Sequence, residues 1–187
     1  MSTYAQEFSR ALLRSQEAGL HVPNCKLELN RRWLSDRAQA EFPYVLRHTV
    51  GELDFAEISA HCLSLNLELL SAVSRWLGCE VFYTLGWVDD ETENGLFYFD
   101  EVFIRDVIRT KYSKNTMKIH AWLTLPSLEI IDITLFTTLA FAKKQPTMLG
   151  RVITRHPDYI QGMAYKPMLV GDDFLRQTGV LKNENER

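Results

Sequence analysis

The chain of 187 residues carries a formal net charge of −3 at neutral pH, with 46% hydrophobic and 24% charged residues. That length is enough for one domain with a sizeable core, and the proportions are those of an ordinary globular protein. A slightly acidic chain gives no support for a surface that binds nucleic acid or anionic membranes. No charge-free run approaches the ~20 residues that cross a bilayer.

The cysteine content and the N-terminus indicate a reducing compartment. Cys25, Cys62 and Cys79 make an odd number without CxxC spacing, which is a poor disulfide framework and a poor zinc site. The first residues are polar and charged, unlike a signal peptide. We therefore expect a cytoplasmic protein, while a protein exported without a cleaved signal would have the same composition.

The N-terminal part of the sequence predicts helices. Residues 3–18 have the apolar spacing of an amphipathic helix that ends at Gly19. Residues 28–41 predict a second, weaker helix ended by Pro43. Residues 44–58 are ambiguous, because the stretch "YVLRHTV" has the composition of a short strand.

The strongest helix signal runs from residue 59 to residue 77. Leucines recur there at intervals of three and four residues and form a wide apolar stripe. So wide a stripe predicts a central helix that is packed on several sides, and Gly78 lies where a helix-terminating glycine is expected. The run that follows, "CEVFYTLGWV", is rich in β-branched and aromatic residues and predicts a buried strand.

The rest of the chain predicts mainly strands and turns. Residues 96–115 fit a strand or a helix equally well. Residues 117–141 contain two strand-like runs around Pro126-Ser127, which is a hairpin signal. One or two further strands are expected over residues 150–171, followed by a short closing helix over residues 172–180.

Cys62 opens the predicted central helix, and His120 and Asp132 follow in the predicted hairpin. The segments "HCLSLNLELLSAVSRWLGCEVFYTLGWV" and "HAWLTLPSLEIIDIT" resemble the transglutaminase-like, or papain-like, superfamily of thiol enzymes. In that superfamily a cysteine opens a buried helix, which leads through a glycine turn into a strand. A later "HAW" segment and an aspartate supply the other catalytic side chains. The resemblance covers roughly residues 55–136.

The resemblance implies an α+β fold of the papain-like/transglutaminase-like kind. A central helix would pack on an antiparallel β-sheet, with N-terminal helices as an accessory layer. We expect a single domain over residues 1–187, with a helical N-terminal layer at residues 1–43. The transglutaminase-like core would occupy residues 55–136, and closing strands and a short helix would occupy residues 145–180.

The resemblance also implies cysteine-dependent acyl transfer on an amide or ester of a peptide or protein, without a metal or organic cofactor. The options are peptide hydrolysis, deamidation, transglutamination or another acyl transfer. A protease, amidase or deamidase is preferred, because water is the default acceptor. A thiolate is the nucleophile, and the positive end of a helix favours it. His120 would take the thiol proton and return it to the leaving group, while Asp132 would hold the imidazole. The Cys62 N–H would contribute to an oxyanion hole. Candidates for lining the substrate pocket are His61, Trp122 and Trp87.

The triad hypothesis makes a demand on the hairpin, because side chains alternate between the two faces of a strand. A two-residue loop at Pro126-Ser127 would pair His120 with Ile133. Asp132 would then point to the opposite face. A three-residue loop over Leu125–Ser127 would place Asp132 directly across from His120, and a bulge would act similarly. The triad therefore requires an odd loop or a bulge.

Several of these residues also have structural interpretations. Free cysteines are among the most buried residues, so Cys62 taken alone is more typical of a packing thiol than of a nucleophile. Cys79 is expected in the core, and Cys25 in a loop. Glu129 is the alternative acid of the hairpin. His61 is not expected to pair with Cys62, because neighbours along a helix point about 100° apart. It is expected to be an exposed or hydrogen-bonded histidine in the first turn.

The competing interpretation is a catalytically inactive version of the same fold, acting as a protein-binding, adaptor or immunity module. The lead-in "ISAH" lacks the glycine that usually precedes the superfamily's cysteine, and no side chain is identifiable as an oxyanion donor. A thiol beside His120 that opens to a cleft would favour the enzyme, whereas a sealed thiol would favour the binding module. The oligomeric state is not predictable from these features.

Overall fold

The computed structural model describes residues 2–52, 54–111 and 118–181. Within them the chain forms seven α-helices, five β-strands and two short 3-10 turns, and the strand pairs are antiparallel. The α+β class predicted from the sequence is therefore confirmed. None of the described helices combines the length and the hydropathy needed to span a bilayer.

The elements have the following bounds. The helices are α1 (Tyr4–Glu17), α2 (Asp36–Val50), α3 (Phe55–Ala60), α4 (Cys62–Leu77), α5 (Glu101–Thr110), α6 (Leu135–Lys143) and α7 (Asp173–Gln177). The strands are β1 (Phe82–Asp89), β2 (His120–Thr124), β3 (Ile130–Asp132), β4 (Ile153–Arg155) and β5 (Ala164–Val170). The 3-10 turns are Pro146–Met148 and Pro157–Tyr159.

The Cα positions group the chain into two compact units. The terminal unit comprises Met1–Asn24, Thr84–Ile119 and Gln161–Arg187. The hairpin unit comprises Cys25–Tyr83 and His120–Ile160, and contains the β2–β3 hairpin. Strand β1 begins in the hairpin unit and continues into the terminal unit.

In the terminal unit, α1 packs against β5, which pairs with β1. The Ser15 hydroxyl accepts a hydrogen bond from the Val170 N–H at 2.9 Å, and the Arg14 guanidinium donates to the Met168 carbonyl at 3.0 Å. Helix α1 agrees within one residue at each end with the helix predicted at residues 3–18. The large side chains fully buried in this unit are Phe8, Leu85, Ile104, Ile119 and Phe174.

In the hairpin unit, α4 packs against β2 on one side and against α2 on another, and the strand order is β4-β3-β2. The apolar stripe of α4 explains this central position, since Leu69 and Val73 are fully buried. Gly78 ends the helix in the left-handed conformation, with φ of 66°. Phe42 of α2 packs on Trp76 of α4 with ring centroids 5.9 Å apart.

The structure corrects the prediction for residues 28–58. The helix predicted at residues 28–41 and the strand considered for residues 44–58 are wrong, because α2 runs from Asp36 to Val50 with Pro43 inside it. Ser35 caps the helix by accepting from the Ala38 N–H. Burial of Phe42, which is 1% exposed, offsets the hydrogen bond that Pro43 removes.

The apolar pattern did not predict the secondary structure of two further segments. Residues 96–115 contain α5, which Asp100 caps at the Phe103 N–H, while residues 112–115 lie outside the described part of the chain. The second strand-like run continues into helix α6, which was not predicted. Its buried residues, Leu135, Thr137, Leu139 and Ala140, lie around most of the helix, so no amphipathic period distinguishes it from a strand.

Candidate active site

Cys62 is the first residue of α4 and follows a break between two helices. Helix α3 ends at Ala60, and His61 interrupts the helical backbone with φ of −121° and ψ of 33°. The His61 side chain gives α4 no cap, so the positive end of the helix acts on its first turn. The half-buried Cys62 thiol therefore lies where a helix favours a negative charge.

His61 is exposed, as predicted, and belongs structurally to α3. Its Nδ1 donates to the Glu57 carbonyl at 3.0 Å, one turn back along the chain. The imidazole that interacts with Cys62 is that of His120, because Cys62 contributes to raising the pKa of His120.

A three-residue loop joins β2 to β3. Leu123 pairs with Ile131, and the Leu125 N–H donates to the Glu129 carbonyl at 2.9 Å. The loop is therefore Pro126–Leu128, one residue later than the three-residue loop considered above. Its last residue has φ of 67°, which is the left-handed conformation that closes hairpin loops of this length.

This odd loop puts Asp132 on the face of the hairpin that carries His120. Extending the register by one pair places Asp132 across from Trp122, two residues along the strand from His120, so the direct opposition considered for a Leu125–Ser127 loop does not occur. The two side chains meet along the diagonal, with His120 Nε2 at 2.5 Å from Asp132 Oδ2.

The second carboxylate oxygen of Asp132 is held by the start of α6. Asp132 Oδ1 accepts from the Thr134 N–H at 2.9 Å, the Thr134 hydroxyl at 3.2 Å and the Leu135 N–H at 3.1 Å. Asp132 thus caps α6 while its other oxygen bonds His120. The helix that the sequence analysis missed is what orients the acid of the hairpin.

His120 is fully buried between Asp132 and Cys62. Burial by itself lowers the pKa of the imidazole, but the charge and hydrogen bond of Asp132, followed by those of Cys62, outweigh it and raise the pKa to about 10. The raised pKa favours the imidazolium form of His120 at neutral pH. Since Nε2 bonds Asp132, Nδ1 is the ring nitrogen left for the thiol.

Trp122 and Trp87 have different surroundings. Trp122 is fully buried and packs on the His120 ring with centroids 5.8 Å apart. Trp87 belongs to the terminal unit, where its ring lies edge-on to Tyr98 at 4.9 Å. A Cβ on Gly95 would come within 2.8 Å of the Trp87 ring, so a glycine is required beside it.

Glu129, the alternative acid, joins the hairpin loop to the segment that precedes α2. Its Oε2 accepts from the Trp33 N–H at 2.7 Å, the Leu34 N–H at 3.2 Å and the Ser127 hydroxyl at 2.7 Å. Because it accepts from these three donors, Glu129 has a structural role in the loop. Asp132 is the acid that bonds His120.

The other two thiols are poorly ionised. Burial raises the pKa of Cys79 to about 11. Burial, with a smaller effect of the Glu80 charge, raises the pKa of Cys25 to about 12. Both are half-buried and free, so they are packing thiols of low reactivity.

Asn66 is a site residue that the sequence analysis missed. It lies one turn after Cys62 on α4 and is fully buried. Its Nδ2 donates to the Cys62 carbonyl at 2.9 Å and to the Ala121 carbonyl at 3.0 Å. The available signal was an asparagine within the apolar stripe of a helix, four residues after the cysteine.

Comparisons with protein-family models, with curated proteins and with solved structures find no match for this chain. Among the described residues, no group of three or more histidine, cysteine, aspartate or glutamate side chains is placed to hold a metal ion. What the site can do therefore follows from its own geometry. A thiol at a helix start, a buried imidazolium and an oriented carboxylate form the arrangement that activates a nucleophile.

Proposed function

We propose that the protein is a cysteine-dependent acyl-transfer enzyme of the transglutaminase-like, papain-like kind. It would act on an amide or ester of a peptide or protein, as a protease, amidase or deamidase. The observations that support this proposal are the effect of Cys62 on the pKa of His120 and the hydrogen bond of His120 to Asp132, within one compact unit. The order of the three residues along the chain resembles that of the superfamily.

In the proposed reaction, Cys62 and His120 act as a thiolate and an imidazolium. The thiolate attacks the acyl carbon, a sulfur–carbon bond forms, and the carbonyl electrons move onto oxygen beside the Cys62 N–H. The tetrahedral intermediate collapses, the carbon–nitrogen bond breaks, and the leaving amine takes the His120 proton. Water then attacks the thioester, returns a proton to His120 and releases the acid and the thiolate.

Asp132 has two functions in this scheme. Its charge keeps His120 protonated despite complete burial, and its position at the start of α6 fixes the imidazole through a bond of 2.5 Å. A carboxylate held by backbone N–H groups does not need to reorganise when the imidazole changes its protonation state.

The proposal is tested by labelling the three cysteines with iodoacetamide and following each by mass spectrometry from pH 5 to pH 9. The pKa values of Cys79 and Cys25, about 11 and about 12, leave roughly 10⁻⁴ and 10⁻⁵ of these thiols ionised at pH 7. Even after the greater nucleophilicity of such thiolates is allowed for, Cys62 should label at least about tenfold faster.

Two histidine variants separate activation from simple exposure. His120→Gln should slow the labelling of Cys62 at pH 7, because the imidazolium that favours the thiolate is lost. His61→Gln is the matched control, because it removes a histidine adjacent to Cys62 in sequence that bonds only its own helix turn, and it should leave the rate unchanged. Equal effects of the two variants would contradict the proposal.

Activity is measured with a panel of peptide amides and aryl esters. Cys62→Ala and His120→Gln should abolish turnover. A Cys62 that labels slowly and independently of His120 would favour the alternative, a catalytically inactive protein-binding module of the same fold.

A further inference from the structure

We propose that Asn66 is a positioning residue that fixes the Cys62 thiol relative to the His120 imidazole. This inference rests on the proposed function of the triad. The Asn66 amide joins α4 to β2 by donating to one backbone carbonyl on each element, Cys62 at 2.9 Å and Ala121 at 3.0 Å. Cys62 carries the thiol, and Ala121 directly follows His120 in the chain.

The bridge uses the full donor capacity of the amide. An asparagine NH₂ group has two N–H bonds, and here they serve the two carbonyls. Asn66 is fully buried, so solvent does not compete for these bonds. A residue that lacked the amide would leave the Ala121 carbonyl without this donor and α4 without this attachment to β2.

The remaining atom of the amide argues against a role in stability alone. Asn66 Oδ1 is buried and has no hydrogen-bond partner among the residues that the structure describes. An unpaired buried acceptor destabilises a fold, and an apolar side chain at this position would avoid it. The chain retains an asparagine where its two donors hold the nucleophile-bearing helix to the imidazole-bearing strand.

The bridge affects reactivity through the distance between the Cys62 thiol and the His120 imidazole. Nucleophilic activation requires the thiol and the imidazole within hydrogen-bond reach, and a misplacement of about 1 Å costs on the order of a hundredfold in rate. Helix α4 also packs against β2, but the bridge acts at the turn that carries Cys62. Loss of the bridge should therefore uncouple the thiol from His120 more than it changes the fold.

The test measures the iodoacetamide rate of Cys62 and its pH profile in two variants. Asn66→Leu removes both donors and the unpaired oxygen at similar size. Asn66→Ser is smaller, and its hydroxyl is able to donate to the Cys62 carbonyl one turn back while the bond to Ala121 is lost. Both variants should slow Cys62 labelling at pH 7 by about tenfold or more and shift its pH profile toward that of His120→Gln.

Two controls make the result specific. Ser74→Ala removes a side-chain bond of 2.6 Å to the Cys79 carbonyl at the other end of α4 and should leave Cys62 labelling unchanged. Cys79 and Cys25 report folding in the same sample, because a loosened fold would expose them and speed their labelling. If Cys79 and Cys25 label faster in Asn66→Leu than in the wild-type protein, the test relies on Asn66→Ser.

A double-mutant cycle with His120→Gln decides the outcome. If Asn66 acts through His120, neither Asn66 variant should slow Cys62 further once the imidazole is gone. Wild-type labelling in the Asn66 variants, or an equal loss with and without His120, would overturn the inference. Labelling of the wild-type protein that does not depend on His120 would instead refute the proposed triad, so the two failures are distinguishable.

Discussion

Replacing Asp132 with Asn should remove the charge that keeps His120 protonated while it largely preserves the shape of the site. The asparagine oxygen can still accept from the Thr134 and Leu135 N–H groups that Asp132 Oδ1 binds at 2.9 Å and 3.1 Å. The cap on α6 is therefore retained. The pKa of His120 should fall, because its burial then acts without the opposing carboxylate.

The size of the change in stability follows from the pH range over which His120 titrates. Its pKa is about 10 in the folded protein, whereas an unfolded-chain histidine titrates near 6.5. A raised folded-state pKa gives stability that is fully present below pH ~6.5 and is lost as the pH rises through ~10. Between pH 7.5 and 9.5 the folded state holds about one proton more, so the contribution falls by about 1.4 kcal/mol per pH unit.

The measurement is urea unfolding at pH 6.5, 7.5, 8.5 and 9.5, compared in a Cys62→Ala background. That background is needed because an unfolded-chain cysteine titrates near 8.5, within the same window. Cys62 contributes the smaller part of the raised His120 pKa, and this background removes that part. We therefore expect Asp132→Asn to be less stable by at most about 3 kcal/mol at pH 7.5, with the difference shrinking as the pH rises. Other titrating groups cancel in the comparison.

Asp158→Asn is the matched control, because Asp158 lies 3.9 Å from His156 in a partly exposed pair. Its effect on the free energy of unfolding should be small and should vary little with pH. A destabilisation by Asp132→Asn that stays constant from pH 7.5 to 9.5 would refute the assignment of His120 as a buried imidazolium.

The remaining predictions concern the supports of the hairpin unit. Glu129→Ala should lower the free energy of unfolding by about 2–4 kcal/mol in urea melts, because the N–H groups of Trp33 and Leu34 lose their buried acceptor. The folded variant should label Cys62 at the wild-type rate. A large decrease in that rate would contradict a purely structural role of Glu129. Gly78→Ala should cost about 1 kcal/mol through its φ of 66°, while Gly78→Asn should cost less.

The sequence by itself determined the elements whose signals are local. Helix α4 was predictable to its last residue, because an apolar stripe and Gly78 act within the helix and at its end. Side-chain alternation also set the condition that His120 and Asp132 share a face only if the loop is odd or bulged, but the sequence did not decide the loop length. The position of Cys62 at a helix start followed from the same helix pattern.

Only the tertiary structure decided the features that depend on packing between distant residues. Helix α2 continues through Pro43 because Phe42 packs on Trp76. Helix α6 forms although its buried residues show no clear amphipathic period. The diagonal contact of His120 with Asp132 required the loop to shift by one residue. The Asn66 bridge joins residues 55 positions apart, and local periodicity carries no information about such a contact.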